Sequence, residues 1–216
     1  MPKLLTEFIG TFFLVLTVGL TVLSGTPFAP LAIGAALMVM VYMGGHISGG
    51  HYNPAVTLGA ALRGAMDRRD VVPYWVAQLV GALAAAAVVQ AVVGATFAPA
   101  PGPEAGTLAA VLVEVLFTFA LVLVVLNTAT AEETAGNSYF GLAIGFTVVV
   151  GAFAGGDVSG GAFNPAVGTG PILWQTLAGN GSLSNLWLYL VGPFLGGWLA
   201  AVVFKLQHPA SSPAEA

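Results

Sequence analysis

The 216-residue sequence contains no cysteine, and only 6% of it is charged against 57% hydrophobic. Without cysteine there are no disulfide staples, no thiolate nucleophile and no Cys-ligated zinc or iron–sulfur site. Three histidines leave little for metal or haem ligation, so neither a cofactor nor a metal is expected. Five Lys+Arg against nine Asp+Glu, a formal charge of −4, cannot build the basic surface that nucleic acid requires. A soluble domain carries about 25% charged residues; here there is too little polar side chain to coat a water-facing globule, and the mean hydropathy is +0.93. No set of nucleophile, base and metal is present, so an enzyme is not expected. An integral membrane protein remains. Its 29 glycines suit that class, because small residues let membrane helices approach closely.

A helix needs about 20 apolar residues to cross a bilayer. Six segments qualify, at roughly 4–23, 29–47, 72–94, 108–128, 138–156 and 185–206. Lys3 before the first apolar run could mark a secretory signal, but Glu7 interrupts the run and no small-x-small cleavage site follows. With six spans, Lys3, Arg63, Arg68, Arg69 and Lys205 all fall on one face, which the positive-inside rule makes cytoplasmic together with both termini. An odd number of spans would scatter them. Short loops and minimal termini point to a prokaryotic inner membrane, and residues 207–216 read as a short disordered cytoplasmic tail.

The chain repeats itself. Residues 7–16 and 114–123 agree at six of ten positions; residues 48–56 (Ser-Gly-Gly-His-Tyr-Asn-Pro-Ala-Val) and 159–167 (Ser-Gly-Gly-Ala-Phe-Asn-Pro-Ala-Val) agree at seven of nine. Val80-Gly81 matches Val191-Gly192 at the second offset. The halves are then 1–94 and 108–206, joined by an external linker at 95–107. Each half holds three spans, an odd number, so the second enters the membrane inverted.

Asn is a preferred N-cap and Pro is favoured at the first helical position. Asn53-Pro54-Ala55 and Asn164-Pro165-Ala166 therefore each start a helix, of about 11 residues or ~16 Å, half the hydrocarbon thickness. Inverted symmetry brings the two N-termini together near the midplane. Non-helical backbone is tolerated there only when it is buried in protein or lines a cavity. The carbonyls of Gly49, Gly50, His51 and Tyr52 on one side, and of Gly160 and Ala162 on the other, can form a ladder of acceptors. Two helix N-termini and two Asn amides would place positive potential between them, a barrier to cations and protons but not to neutral molecules.

Two Asn-Pro-Ala boxes in an inverted repeat, with Glu7/Glu114, Thr11/Thr118, the stretch Gly45 to His51, Ala77-Gln78 and Gly170-Pro171, resemble the aquaporin (major intrinsic protein) family over nearly the whole chain. The resemblance implies an all-α membrane fold of six transmembrane helices plus two re-entrant half-helices, and a homotetramer with one pore per subunit. It also implies that Glu7 and Glu114 brace the backbone of the re-entrant loops rather than relay protons. In the family the second box continues into an arginine that lines the outer constriction; here that residue is Val167. Counted back from the boxes, the other constriction positions fall on Ile33, Ala152 (or Gly151, one residue earlier) and Gly161. Without the large and charged groups of water-selective members, the throat is expected to be wide and apolar. The function this implies is passive conduction of water and small uncharged solutes such as glycerol-like polyols, urea or metalloid hydroxides. A strictly water-selective channel is the alternative. A secondary transporter, the remaining rival, would need buried charges for coupling, and the spans offer only Glu7 and Glu114.

Overall fold

In the computed structural model, which describes residues 1–209, the chain folds into eight α-helices. Six are long: α1 (Pro2–Leu23), α2 (Ala29–Ser48), α4 (Val71–Val93), α5 (Thr107–Ala129), α6 (Phe140–Ser159) and α8 (Leu186–Gln207). Two are short: α3 (Pro54–Arg63) and α7 (Pro165–Leu177). At 1.5 Å per residue the long ones reach about 30–35 Å, enough to cross a bilayer, and α3 only about 15 Å. All six long helices are apolar enough to span.

The packing follows the sequence repeat. Within each half the most extensive pairing is α1 with α4 and its counterpart α5 with α8, followed by α1 with α2 and α5 with α6. The two halves meet through α2 against α6, and each short helix lies on the last helix of the other half, α3 on α8 and α7 on α4. At the α2–α6 crossing a Cβ on Gly34 would overlap the Gly145 carbonyl, and one on Gly145 would overlap that of Gly34. Both positions need the smallest side chain because the two backbones touch.

Polarity is arranged inside out. Phe13, Val92, Leu116 and Phe153 are exposed, as a lipid-facing surface requires. Glu7, Thr11, Gln78, Glu114, Thr118 and Ser159 are fully buried. Buried ionisable groups among apolar helices demand partners, and those partners are what shape the centre of the molecule.

The expected spans lie within a few residues of the observed helices, with differences that have local causes. α6 runs on to Ser159, beyond the expected end at 156, because the left-handed Gly160 (φ 89°) is what stops it, as Gly49 (φ 94°) stops α2. α7 continues to Leu177, a turn beyond the expected stop near 174. Gln207 closes α8 rather than opening a tail; of the expected tail, residues 210–216 lie outside the described residues.

The five Lys and Arg gather at one end of the bundle. Lys3 pairs with Asp70 at 3.6 Å, joining the starts of α1 and α4. Arg63, at the end of α3, donates from Nε to Thr130 Oγ1 (3.1 Å) and from Nη2 to the Thr130 carbonyl (3.0 Å), with its guanidinium 5.0 Å from the Phe204 ring. Arg68 and Arg69 precede α4, and Lys205 lies in the last turn of α8.

Candidate functional site: two re-entrant loops meeting at the centre

The loops 49–53 and 160–164 have nearly the same shape. Gly49 and Gly160 end their helices in the left-handed region, Gly50 (φ 63°) and Gly161 (φ 64°) continue there, and Tyr52 and Phe163 share a φ of 48°. A left-handed aromatic residue is a strained conformation that persists only when its surroundings hold it. The buried carboxylates do the holding. Glu7 Oε1 accepts from Ser48 Oγ (2.7 Å) and the His51 amide (3.0 Å); its Oε2 accepts from the Tyr52 amide (2.7 Å) and Gln78 Nε2 (2.8 Å). Glu114 repeats the pattern with Ser159 Oγ (2.7 Å), the Ala162 amide (3.0 Å) and the Phe163 amide (2.7 Å). Each carboxylate thus satisfies two consecutive loop amides that no helix or strand can reach.

Each loop then delivers an asparagine. Asn53 and Asn164 are extended (φ −156° and −160°) and cap α3 and α7: Asn53 Oδ1 accepts from the Ala55 amide at 2.9 Å, Asn164 Oδ1 from the Ala166 amide at 2.9 Å. Pro54 and Pro165 occupy the first helical positions, where their missing N–H has no cost. The amide nitrogens cross between halves. Asn53 Nδ2 donates to the Phe163 carbonyl and Asn164 Nδ2 to the Tyr52 carbonyl, both at 2.9 Å. The two helix N-termini are thereby clamped against one another. A primary amide has two N–H groups, so each Asn keeps one beyond its cross-bond.

A cavity of about 450 Å³ runs past this junction. Asn53, Asn164, Gly50, His51, Gly160, Gly161 and Ala162 supply its polar and backbone wall; Leu14, Leu37, Leu121 and Ile144 from four long helices are among its apolar groups. Gly49 and Tyr52, expected among the acceptors, are not on this wall. The Tyr52 carbonyl is turned to Asn164, and its ring is wedged against Gly10 and Gly44 with its hydroxyl donating to the Met40 carbonyl at 2.9 Å. Ile33, Ala152, Gly161 and Val167 all line the cavity. Gly151 instead faces the rings of Phe163 and Phe117, so of these two neighbours it is Ala152 that lies on the wall. Pro54, Ala55, Pro165 and Ala166 are buried behind the junction.

Several contributors were not apparent from the repeat. Tyr74 donates to the Ser48 carbonyl at 2.7 Å and Tyr189 to the Ser159 carbonyl at 2.6 Å, yet the two tyrosines do not fall at equivalent positions of the repeat. Thr57 bridges His51 Nδ1 (3.1 Å) and Gln78 Nε2 (3.0 Å), where the second half has Gly168. Thr11 donates to the Glu7 carbonyl at 2.8 Å, but the hydroxyl of its counterpart Thr118 has no partner. Residues 97–100 of the linker line the cavity, and Phe97 packs on Gly19 and Val89, so the linker is part of the wall as well as a connection. Asp157 also lines the cavity.

Comparisons agree with this geometry. Residues 1–204 match the family described as Major intrinsic protein. "Glycerol uptake facilitator protein-like 6" of Lactiplantibacillus plantarum is 38% identical over 217 residues, covering 96% of this chain and 98% of that one. "Aquaporin Z" of Brucella melitensis is 34% identical over 224 residues, covering 94% and 96%. The X-ray structure of the aquaglyceroporin from Plasmodium falciparum superposes with a TM-score of 0.85 at 23% identity, covering 96% of this chain and 97% of that one; at that identity it speaks for the fold.

Proposed function

The chain belongs to the major intrinsic protein family, and from that premise we propose that its cavity is the conduction path of a passive channel with a wide, apolar outer throat. As a member, it is a multi-pass membrane channel for water and small solutes and not an enzyme. The finer reading is that it admits small uncharged molecules beyond water: glycerol-like polyols, urea and metalloid hydroxides. The observation that carries it is the composition of the wall around Val167, where Ile33, Ala152, Gly161 and Val167 line the cavity without a charged group among them.

In this reading the loop carbonyls accept hydrogen bonds from a passing solute, and the free N–H groups of Asn53 and Asn164 donate to it at the centre. The apolar helix wall receives its carbon face. The converging N-termini of α3 and α7 hold positive potential there, which opposes cations and protons while leaving neutral molecules unaffected. Residues 1–94 and 108–206 act as the two inverted units. The assembly is a homotetramer of independent pores in a prokaryotic inner membrane, with the Lys- and Arg-bearing end and both termini in the cytoplasm.

Stopped-flow light scattering on proteoliposomes under an inward glycerol gradient tests the proposal. Fast shrinkage followed by reswelling well above that of empty liposomes is expected. Fast shrinkage without reswelling would identify a strictly water-selective channel and overturn the wide-throat reading.

A further inference from the structure

The linker between the two halves lies across one end of the cavity and is tied down by both. Thr96 Oγ1 accepts from Gln175 Nε2 (3.3 Å) and Asn180 Nδ2 (3.0 Å), in α7 and just after it. The Phe97 ring is buried in the crevice between α1 and α4, where a Cβ on Gly19 would overlap it. The Gly102 amide donates to the Val158 carbonyl at 3.1 Å, and a Cβ on Gly102 would overlap the Asp157 carbonyl. Between these ties the backbone of Ala100 passes over the second re-entrant loop: its nitrogen and oxygen would each lie 2.8 Å from a Cβ on Gly160. At the matching glycine of the first loop, Gly49, the nearest group is the His51 imidazole, with Nε2 at 3.0 Å. The residue that matches His51 is Ala162, so the second loop has the linker backbone where the first has a polar ring.

This strap is stiff, and its hydrogen-bonding groups are unused. Residues 95–102 belong to neither helix nor strand. Pro99, Pro101 and Pro103 fix their own φ and hold the residues before them extended. Proline has no N–H, so Ala98–Pro101 carries four carbonyls and only two amide hydrogens. Among the described residues no hydrogen bond involves the backbone of residues 97–101. Backbone groups withdrawn from bulk water require a partner, and Phe97, Ala98, Pro99 and Ala100 border the cavity. Whatever occupies the cavity is therefore the partner within reach. The side chains of Ile33, Ala152 and Val167, on the same cavity, offer a solute no hydrogen bond.

We propose that the strap Ala98–Pro99–Ala100 is a solute-binding wall of the throat, whose free carbonyls accept hydrogen bonds from the hydroxyl or amide groups of polyols and urea, and that Phe97 is the residue that positions it. This rests on the reading of the cavity as a conduction path for neutral solutes. A polyol entering an apolar throat gives up water around its hydroxyls, and a hydroxyl left without a partner raises the barrier to passage. The strap carbonyls replace that water on the side facing Gly160, and the proline-held backbone keeps them in place at little entropic cost. Loss of one such acceptor slows a donor-rich solute about tenfold. A water molecule depends on the strap less, because it keeps hydrogen bonds to the waters before and behind it. The strap therefore sets the ratio of solute to water conduction rather than the conduction itself.

The test measures glycerol reswelling and osmotic shrinkage on the same proteoliposomes carrying the full chain, each rate taken above that of empty liposomes. Their ratio does not depend on how many channels have folded, so a merely structural role for Phe97 leaves it unchanged. In Phe97→Ala, which frees the strap at one end, the glycerol-to-water ratio is expected to fall about tenfold. In Gly102→Ala, which pushes the strap off the Asp157 carbonyl at the other end, it is expected to fall at least about threefold. Phe97→Leu keeps an apolar anchor and is expected to stay within about twofold of the unaltered protein. An unchanged ratio in Phe97→Ala overturns the proposal, and a raised ratio does so as well, because the strap is then only a steric barrier. If Phe97→Ala conducts no water, Gly102→Ala is judged by the same criteria; if neither conducts water, the strap serves folding alone and the proposal is overturned. Should glycerol not enter the unaltered protein faster than empty liposomes, the wide-throat reading fails and the strap proposal falls with it, whereas an unmoved ratio with glycerol entry intact overturns the strap alone.

Discussion

Gln78 and Tyr189 stand at matching points of the two halves but serve different partners. Gln78 Nε2 donates to Glu7 Oε2 at 2.8 Å, whereas the Tyr189 hydroxyl donates to the Ser159 carbonyl at 2.6 Å and gives nothing to Glu114. Tyr189 also fills the space over Gly168, where a Cβ would overlap it, while the first half has Thr57 and its hydroxyl bridge. The two loops keep one backbone shape with different supports: Glu7 receives four hydrogen bonds and Glu114 three.

That asymmetry makes Glu7→Gln more damaging than Glu114→Gln. A glutamine amide turned toward donors leaves buried N–H groups unmet, at about 1–3 kcal/mol each. At residue 7 it faces a second side-chain donor, Gln78, that residue 114 lacks. Both variants are expected to lower the unfolding midpoint in detergent micelles, Glu7→Gln by the larger amount. Equal midpoints would show that the Gln78 bond adds nothing.

Gly10→Ala tests the seat of the first loop. An added Cβ would overlap the Tyr52 ring, and overpacking of this kind costs about 1–3 kcal/mol. Because the Tyr52 carbonyl receives the Asn164 amide, displacement of the ring disturbs the central clamp as well. The expected result is reduced water flux per folded channel, measured by osmotic shrinkage. Unchanged flux would show that the ring can move without carrying its carbonyl.

Val167→Arg is expected to close the throat to larger solutes. Val167 is the third residue of α7 and lies on the cavity wall with Ile33, Ala152 and Gly161. A guanidinium there fills space and adds fixed positive charge. Glycerol reswelling should slow by at least about tenfold, with water flux far less affected, since the smaller solute tolerates the narrower passage. Unaltered glycerol entry would remove Val167 from the constriction.

Arg63→Lys is expected to destabilise the Lys- and Arg-bearing end of the bundle despite keeping its charge. The guanidinium uses two nitrogens on Thr130 and covers Phe204, a planar fork that lysine cannot reproduce. A loss of about 1–2 kcal/mol follows from the missing bond, read as a lower unfolding midpoint than the unaltered chain, with Arg63→Ala lower still. Coinciding midpoints for the lysine variant and the unaltered protein would assign the contribution to charge alone.

Six spans, two half-length helices and their inverted relation are all readable from the chain, because each rests on a local property. Twenty apolar residues span a bilayer, Asn-Pro starts a helix, and an odd number of spans per half inverts the second. The Asn-Pro-Ala boxes and the Glu7/Glu114 pair are visible for the same reason: like residues recur at like spacing. Tyr74 and Tyr189 were hidden, since they reach the same kind of carbonyl from different steps of α4 and α8. A repeat alignment sees sequence position, while a hydrogen bond depends on where the atom arrives.

The remaining choices are made by packing between distant segments. Ala152 rather than Gly151 faces the cavity because Phe163 and Phe117 occupy the other side. Tyr52 leaves the cavity wall because Gly10 and Gly44 make room for its ring. Residues 97–100 become wall because Phe97 is anchored between α1 and α4. Periodicity and caps act within a turn or two of chain and are therefore written in the sequence. The orientation of a loop carbonyl or the side of a helix that meets a cavity depends on the shape of neighbours more than a hundred residues away, as between Asn53 and Phe163, and exists only once those neighbours have packed.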